Sequence, residues 1–407
     1  MPSVADGYLA EERWRREWET YVGGLDVKRL TRCGMLAFLL VLCALGVLTG
    51  CLPPSEKDLA AIDYAPKRLD DGWEIATPEA EGVDPDLVAR LYYSAARMET
   101  LRGLVVIKNG RLIAEGYFND GSIIQTARLQ SVTKSFTSAL VGIAIEQGLL
   151  ASVNQRMLEF YPEIAEMITD PRKHEITIQQ LLQMRAGYPW EETHPDLWAG
   201  LLSGHYPRLI EHFPLVDDPG TEFHYSNLTS NWLGIIVDRV SGMNLKAYAE
   251  ENLFTPLGIT PGEWGMDAEG HNNGCGDLHL RIRDAAKFGL LYLDDGMYLD
   301  RQIVPAAWVE ASLASYTRNA FAEIDGKKVG RHFHDIGYGY QWWSATVGDY
   351  DVDYAHGHGG QLIVLLEALD MVIATTAYPF WLEHTGESWK HEKACFDLVG
   401  GFISSLP

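Results

Sequence analysis

Ser131-Val132-Thr133-Lys134 places a hydroxyl and an amine three residues apart. On a helix both side chains rise from one face. A lysine beside a serine can take the serine proton once burial or a second positive group has lowered its own pKa. Four residues can therefore hold a nucleophile and its base. Tyr225-Ser226-Asn227 adds a phenol and an amide. A phenol next to an ammonium has a lowered pKa and can act as a general base. An asparagine beside it can hold both the lysine and a substrate amide. His358-Gly359-Gly360-Gln361 adds an imidazole and a stretch of bare backbone. Glycines there allow close approach of a ligand, and an N–H such as that of Gln361 can donate to an oxyanion. The chemistry these groups describe together is acyl transfer through a covalent serine intermediate.

The elements that must carry them are legible in the pattern. Residues 134–147 are apolar nearly all round, with Phe136, Ala139, Leu140, Val141, Ile143, Ala144 and Ile145, which predicts a buried helix closed by Gly148. Ser131 then sits in its first turn, where unpaired N–H groups and the helix dipole favour developing negative charge. Tyr225 follows the turn signal Pro219-Gly220-Thr221-Glu222 and opens a second apolar helix through Trp232-Leu233-Gly234-Ile235-Ile236-Val237. The third group leads into a strand, Leu362-Ile363-Val364-Leu365. Each group also has an ordinary reading: a solvated lysine, a core tyrosine, an asparagine that caps a helix. His356 and His358 have no carboxylate or cysteine cluster nearby in sequence, so no metal is predicted, and the chemistry calls for no cofactor.

In this order and at this separation, the three groups resemble the serine β-lactamase and penicillin-binding protein superfamily. The nearest likeness is to class C β-lactamases and to the esterases, peptidases and amide hydrolases similar to them. The resemblance extends to Ile176–Gly187, to Leu280–Gly289 and to Gly337–Trp343, and covers about residues 76 to 407. It implies an α/β lobe with an antiparallel sheet plus an all-helical lobe, with Ser131 in the cleft between them. It implies Ser131, Lys134 and Tyr225 as catalytic residues. Asn227, His358, Gly360 and Gln361 become substrate- or oxyanion-binding residues, and the N–H groups of Ser131 and Gln361 hold the oxyanion. His358 stands where β-lactamases and peptidases carry lysine. A mostly neutral imidazole there points to an ester or amide without a free carboxylate. The alternatives are a D-alanyl peptidase or β-lactamase on cell-wall-like substrates, and a lipoprotein that binds peptidoglycan without turnover.

The same layout follows from periodicity. Leu104–Lys108 and Arg111–Glu115 flank Asn109-Gly110, a strong hairpin signal. Asp84 or Asp86 caps a helix through Leu87, Leu91 and Ala95, and Thr177 with Gln180 forms a capping box. The middle of the chain reads as helical. Strands return at 338–343, 362–366 and 371–376, followed by a last helix near 389–402. Strands at both ends of a helical middle predict one antiparallel sheet completed by the two termini. Tyr188, Trp190, Trp198, Trp342, Trp343, Phe380 and Trp381 are candidates for an apolar acyl pocket.

The N-terminal region is a separate matter. Lys28-Arg29-Leu30-Thr31-Arg32 precedes an apolar run from Met35 to Leu52 that contains Leu48-Thr49-Gly50-Cys51. This reads as a secretory signal with a lipobox, with Cys51 as lipidation site, or as an uncleaved membrane anchor. Either puts the catalytic domain outside the cytoplasm of a bacterium, tethered to a membrane. The organisation read from sequence is a tail over 1–26 (cytoplasmic, or upstream of a later start at Val27), a signal or anchor over 27–52, a tether over 53–75 and the hydrolase domain over 76–407. The chain has 407 residues, 47% of them hydrophobic, and a net charge of −23, which leaves no basic stripe for nucleic acid. The expected partner is a small-molecule or peptide substrate, with no protein partner inferred. Outside the signal, Cys275 and Cys395 either pair or stay as two buried thiols.

Overall fold

The computed structural model describes residues 53–320, 329–380 and 387–407. Cys51, the apolar run before it and Trp381 lie outside them. Among the described residues no helix is long and apolar enough to cross a membrane. Glu56–Pro407 forms a compact unit distinct from Met1–Ser55.

Twelve strands are formed among the described residues. Eight make one sheet: β1 (Leu101–Lys108), β2 (Arg111–Tyr117), β7 (Thr317–Arg318), β8 (Phe333–Tyr338), β9 (Trp343–Val347), β10 (Tyr350–Gly357), β11 (Gln361–Leu366) and β12 (Met371–Ala377), in the order β2-β1-β12-β11-β10-β9-β8-β7. Two small pairs lie apart, β3 (Ala127–Arg128) with β4 (His279–Leu280) and β5 (Met297–Tyr298) with β6 (Arg301–Gln302). Every pairing in the large sheet is antiparallel, and β1 joins β12 from Leu101↔Ala377 to Lys108↔Met371. The first hairpin and the last strands thus complete a single sheet, as the pattern predicted. At the hairpin, Lys108 faces Arg111, and Asn109 and Gly110 take φ of 51° and 72°, the signature of the expected two-residue turn.

The alternation of side chains explains why the sheet has helices on both faces. Val105, Ile107, Ile363, Leu365, Val372 and Ala374 pack into one core, and Leu104, Val106, Leu362, Val364, Met371 and Ile373 into the other. The second core is closed by α1 (Pro85–Ala95), capped by Asp84, and α6 (Ser388–Ile403). The first is shared with the helical middle: α2 (Thr133–Glu146), α3 (Ile178–Leu182) behind its Thr177/Gln180 capping box, α4 (Asn227–Ser241) and α5 (Ile282–Leu293). This is the β-lactamase/transpeptidase-like arrangement of a sheet flanked by helices with a helical lobe.

Two expectations need correction. Residues 338–343 are not one strand but the corner between β8 and β9. Gln341 sits there, buried, with φ of 62°. It donates to the Leu182 and Leu181 carbonyls and accepts from Ser230 Oγ at 2.7 Å, while its own carbonyl accepts from Ser135 Oγ at 2.7 Å. One corner residue therefore ties α2, α3 and α4 together. Residues 56–75 are also no loose tether. Glu115 N–H donates to the Tyr64 carbonyl, Leu112 N–H to the Glu74 carbonyl and Ala76 N–H to the Leu112 carbonyl, so this segment runs beside β2. It is locked by Arg283, 2% exposed, which pairs with Asp71 at 2.8 Å, contacts Glu115 directly and donates to the Lys67 carbonyl at 2.7 Å.

Breaking that buried network should be costly, because one partner removed leaves another uncompensated. Glu115→Ala is expected to lower stability by about 3 kcal/mol or more, measured as a shift of the urea unfolding midpoint against the unmodified chain.

Candidate active site

Ser131 lies just ahead of α2 rather than inside it. Ser131 occupies a short 3-10 turn, Gln130–Val132, and the α-helix begins at Thr133. Gln130 has φ of 51°, left-handed backbone that costs a non-glycine residue about 1 kcal/mol. From the first turn of α2, Lys134 reaches back with its Nζ 3.0 Å from Ser131 Oγ. The same ammonium donates to Asn227 Oδ1 at 2.8 Å and to the Cys275 carbonyl at 2.9 Å. An ammonium has three donors, and all three are used. Lys134 is 1% exposed.

Each acceptor is itself placed. Asn227 opens α4 behind the N-cap Ser226, whose Oγ accepts from Thr229 N–H at 3.2 Å. The Asn227 amide nitrogen donates to Glu192 at 3.2 Å, which turns its oxygen toward Lys134. Glu191 lies fully buried under the start of α4, taking the Ser226 hydroxyl, Asn227 N–H at 3.1 Å and Leu228 N–H at 3.3 Å. Burial pushes its carboxyl up to about 7, against these hydrogen bonds. The Cys275 carbonyl is fixed because Cys275 N–H donates to Asn231 Oδ1 at 2.9 Å. Tyr225 precedes Ser226, and its ring lies 4.9 Å from Lys134 Nζ and stacks on Trp343 at 5.7 Å.

The third group closes against the first. Both β10 and β11 pack on the turn that carries Ser131. A Cβ on Gly357 would stand 2.3 Å from the Leu129 carbonyl, so only glycine permits this approach. Gly359 and Gly360 take φ of 83° and 98°, and a Cβ on Gly360 would stand 2.4 Å from Cys395 Sγ. Gln361 begins β11 and turns its side chain into the sheet, donating to the Ala377 carbonyl at 2.8 Å and accepting from Ala377 N–H at 3.1 Å. Only its backbone is left to serve the cleft. His358 Nδ1 lies 3.0 Å from Glu392 Oε2 on α6. Ser131, Lys134, Tyr225 and Asn227 thus converge within one polar site, and the His358–Gln361 loop lies against the turn that holds Ser131.

A family model described as Beta-lactamase matches residues 98–398. The chain belongs to the beta-lactamase family. It is 26% identical over 274 residues to the 6-aminohexanoate-dimer hydrolase of Paenarthrobacter ureafaciens, covering 64% of this chain and 67% of that protein. It is 29% identical over 156 residues to the lovastatin esterase of Penicillium rubens, a match covering 33% of this chain and 39% of that protein. Among solved structures it is similar to a putative 6-aminohexanoate-dimer hydrolase from Bacillus anthracis, with a TM-score of 0.57, 21% identity, and coverage of 76% of this chain and 81% of that one. This beta-lactamase-family chain is a serine hydrolase or acyltransferase.

Its electrostatics differ from the sequence expectation. Burial alone would lower the Lys134 pKa, but the Tyr225 oxygen and the Cys275 sulfur outweigh it and the ammonium is held above its usual range. Burial raises Tyr225, and the opposing pull of Lys134 and Ser131 does not cancel that rise. Neither group is the low-pKa base the residues suggested. Of the aromatics expected in an acyl pocket, Tyr188, Trp342 and Trp343 are core, each 3% exposed or less, whereas Trp198 and Phe380 remain about two-fifths exposed. Cys275 and Cys395 are free thiols, the latter beneath Gly360. Among the described residues no group of three or more histidine, cysteine or acidic side chains is arranged to hold a metal. Sequence reasoning missed Glu191, Glu192, the Cys275 carbonyl and Glu392. The pair Glu191-Glu192 just after Tyr188 and Trp190 was the only local signal.

At neutral pH the resting pair is an ammonium and a phenol, one proton more than a base can carry. The productive form appears as pH rises and the pair, titrating as a unit, releases that proton. The rate constant kcat/KM on an uncharged ester is therefore expected to climb from about pH 6 to about pH 9, and a profile that falls over this range would contradict the assignment. Tyr225→Phe should lower kcat by about 10²- to 10⁴-fold, as steady-state kinetics would show.

Proposed function

We propose that the chain hydrolyses a carboxylic ester or amide through an acyl-enzyme on Ser131. The observation that carries this reading is the Lys134 ammonium, held 3.0 Å from Ser131 Oγ by two fixed acceptors on other segments. A lysine merely filling space would not be buried with all its donors committed around a serine hydroxyl. In the reaction, the Lys134–Tyr225 pair in its singly deprotonated form takes the Ser131 proton. Oγ bonds to the carbonyl carbon, and the carbonyl electron pair moves onto oxygen, facing the N–H groups of Ser131 and Gln361. Collapse breaks the bond to the leaving alcohol or amine, which receives the proton through Tyr225. The pair then takes a proton from water, whose oxygen bonds to the acyl carbon; collapse breaks the bond from that carbon to Ser131 Oγ, which recovers its proton from the pair as the acid leaves. Asn227 keeps Lys134 in place throughout. An amide substrate is supported by the relative named as a 6-aminohexanoate-dimer hydrolase, matched over 64% of this chain.

The catalytic domain is proposed to work outside the cytoplasm, tethered to a membrane. This rests on the basic cluster at Lys28–Arg32, the apolar run Met35–Leu52 and Leu48-Thr49-Gly50-Cys51.

Two measurements test these readings. A fluorophosphonate probe is expected to label the unmodified chain and not Ser131→Ala, which should also lose all hydrolysis of aryl esters and linear amides while remaining folded, its urea midpoint lowered only by the loss of one of the three Lys134 acceptors. Labelling that survives the substitution would place the nucleophile elsewhere, and an unlabelled, inert wild type would favour a binding role. Mass spectrometry of the mature protein from membranes is expected to find Cys51 lipidated at the N-terminus. Cys51→Ser should then release or misdirect the protein, whereas peptides from 27–50 still joined to the domain would mean an anchor.

A further inference from the structure

The second motif is held by a group that the reaction scheme does not use. Glu191 belongs to a short 3-10 turn, Glu191–Thr193, and is fully buried. Its carboxylate takes three donors from the start of α4. One oxygen accepts the Ser226 hydroxyl and Leu228 N–H at 3.3 Å, and the other accepts Asn227 N–H at 3.1 Å. Glu192, next in the turn, takes the Asn227 side-chain amide at 3.2 Å. Asn227 is therefore gripped at its backbone and at its side chain from one turn, and its Oδ1 receives Lys134 Nζ at 2.8 Å. Lys134 in turn lies 3.0 Å from Ser131 Oγ. A shift at Glu191 reaches Ser131 through two hydrogen-bonded residues.

This set suits a carboxylate and not a carboxylic acid. An ionised carboxylate only accepts, whereas a protonated one carries an O–H that must itself donate. With three donors on two oxygens, the added proton faces a donor. Ser226 Oγ already accepts Thr229 N–H at 3.2 Å. If it turns to accept the new proton as well, its own proton loses its acceptor. If it does not, an N–H of the motif loses its acceptor instead. Either outcome leaves a buried donor unpaired, which strains the motif. The other titratable groups around it are Glu192 on the same turn, Lys134 and Tyr225 through Asn227 and Ser226, and the Cys275 thiol, which the Glu191 charge helps to raise. All three donors to Glu191 are neutral, and burial outweighs them, pushing its carboxyl up to about 7. Its ionisation therefore costs stability as pH rises from the usual carboxylate range through about 7.

We propose that Glu191 is a positioning residue whose ionised form sets the register of Tyr225 and Asn227 against Lys134, so that the site is assembled once this buried carboxyl has lost its proton. This rests on the acyl-enzyme reading above. Activity and stability then move in opposite directions with pH, whereas a carboxylate that only supported the fold would move them together.

The test measures kcat and KM on an uncharged aryl ester from about pH 5 to about pH 10 with the full chain, with urea unfolding at each pH. In wild type, kcat/KM is expected to rise through a step near pH 7, below the rise that belongs to Lys134 and Tyr225. Glu191→Gln keeps the shape of the side chain and carries the donor of the protonated form at every pH. It should lose the step, keep the upper rise and run about tenfold below wild type in kcat above the step, with KM changed less than about twofold. Over the pH range of the step, the urea midpoint of wild type should fall relative to that of the variant. A Glu191→Gln profile parallel to that of wild type overturns the proposal, because Glu191 would then be purely structural. A wild type with no ionisation near pH 7 overturns it without any variant having to fold. If the fluorophosphonate does not label Ser131 and nothing is turned over, the acyl-enzyme reading fails and this proposal fails with it. Labelling and turnover with no step sink only the role of Glu191.

Discussion

The Lys134 ammonium is the constraint around which this protein is organised. A buried cation must be satisfied by hydrogen bonds or it destabilises the fold by several kcal/mol. Its three acceptors come from the turn before α2, the start of α4 and the loop at Cys275. No two of these are neighbours in sequence. Meeting the needs of one ammonium therefore brings three segments to a single point, and the serine hydroxyl is one of the three. Stability and site geometry share a cause here: the contacts that make the charge tolerable also hold the Ser131 hydroxyl in place.

Around that point the structure uses a second tier of fixed polar contacts. Glu192 turns the Asn227 amide, Glu191 collects the free N–H groups at the start of α4, and Asn231 sets the Cys275 carbonyl. Gln341 braces α2, α3 and α4 from the sheet side. Glu392 does for the third motif what Glu191 does for the second. In each case a buried polar side chain borrowed from a distant element orients a short motif that could not orient itself.

Much of this architecture can be read from the chain because its signals are local. The Asn109-Gly110 turn, the capping box at Thr177 and Gln180, and the all-round apolar helix after Lys134 each depend on residues within a few positions of one another. The three motifs are equally local, and the structure brings Ser131, Lys134, Tyr225 and Asn227 of the first two together. What could not be read depends on partners far away. Nothing near Glu392 in sequence says that it reaches His358, and nothing near Arg283 says that it locks Asp71 and Glu115. The aromatic run at Trp342 and Trp343 gave the wrong expectation for the same reason. Composition cannot distinguish a pocket wall from a core, and here Trp343 supports Tyr225 from behind. The pKa directions of Lys134 and Tyr225 were also beyond reach, because burial and a neighbouring charge oppose each other and only geometry says which prevails.

The segment that runs beside β2 has one more consequence. An outermost strand of a sheet offers a row of unpaired N–H and C=O groups to any extended chain that meets it, which invites intermolecular pairing. Here the backbone groups of Leu112 and Glu115 are already engaged by residues 64 to 76, and the opposite margin is the two-residue β7. Residues 64 to 76 thus act as a guard rail for the sheet, so that the domain presents its neighbours with little edge on which to aggregate.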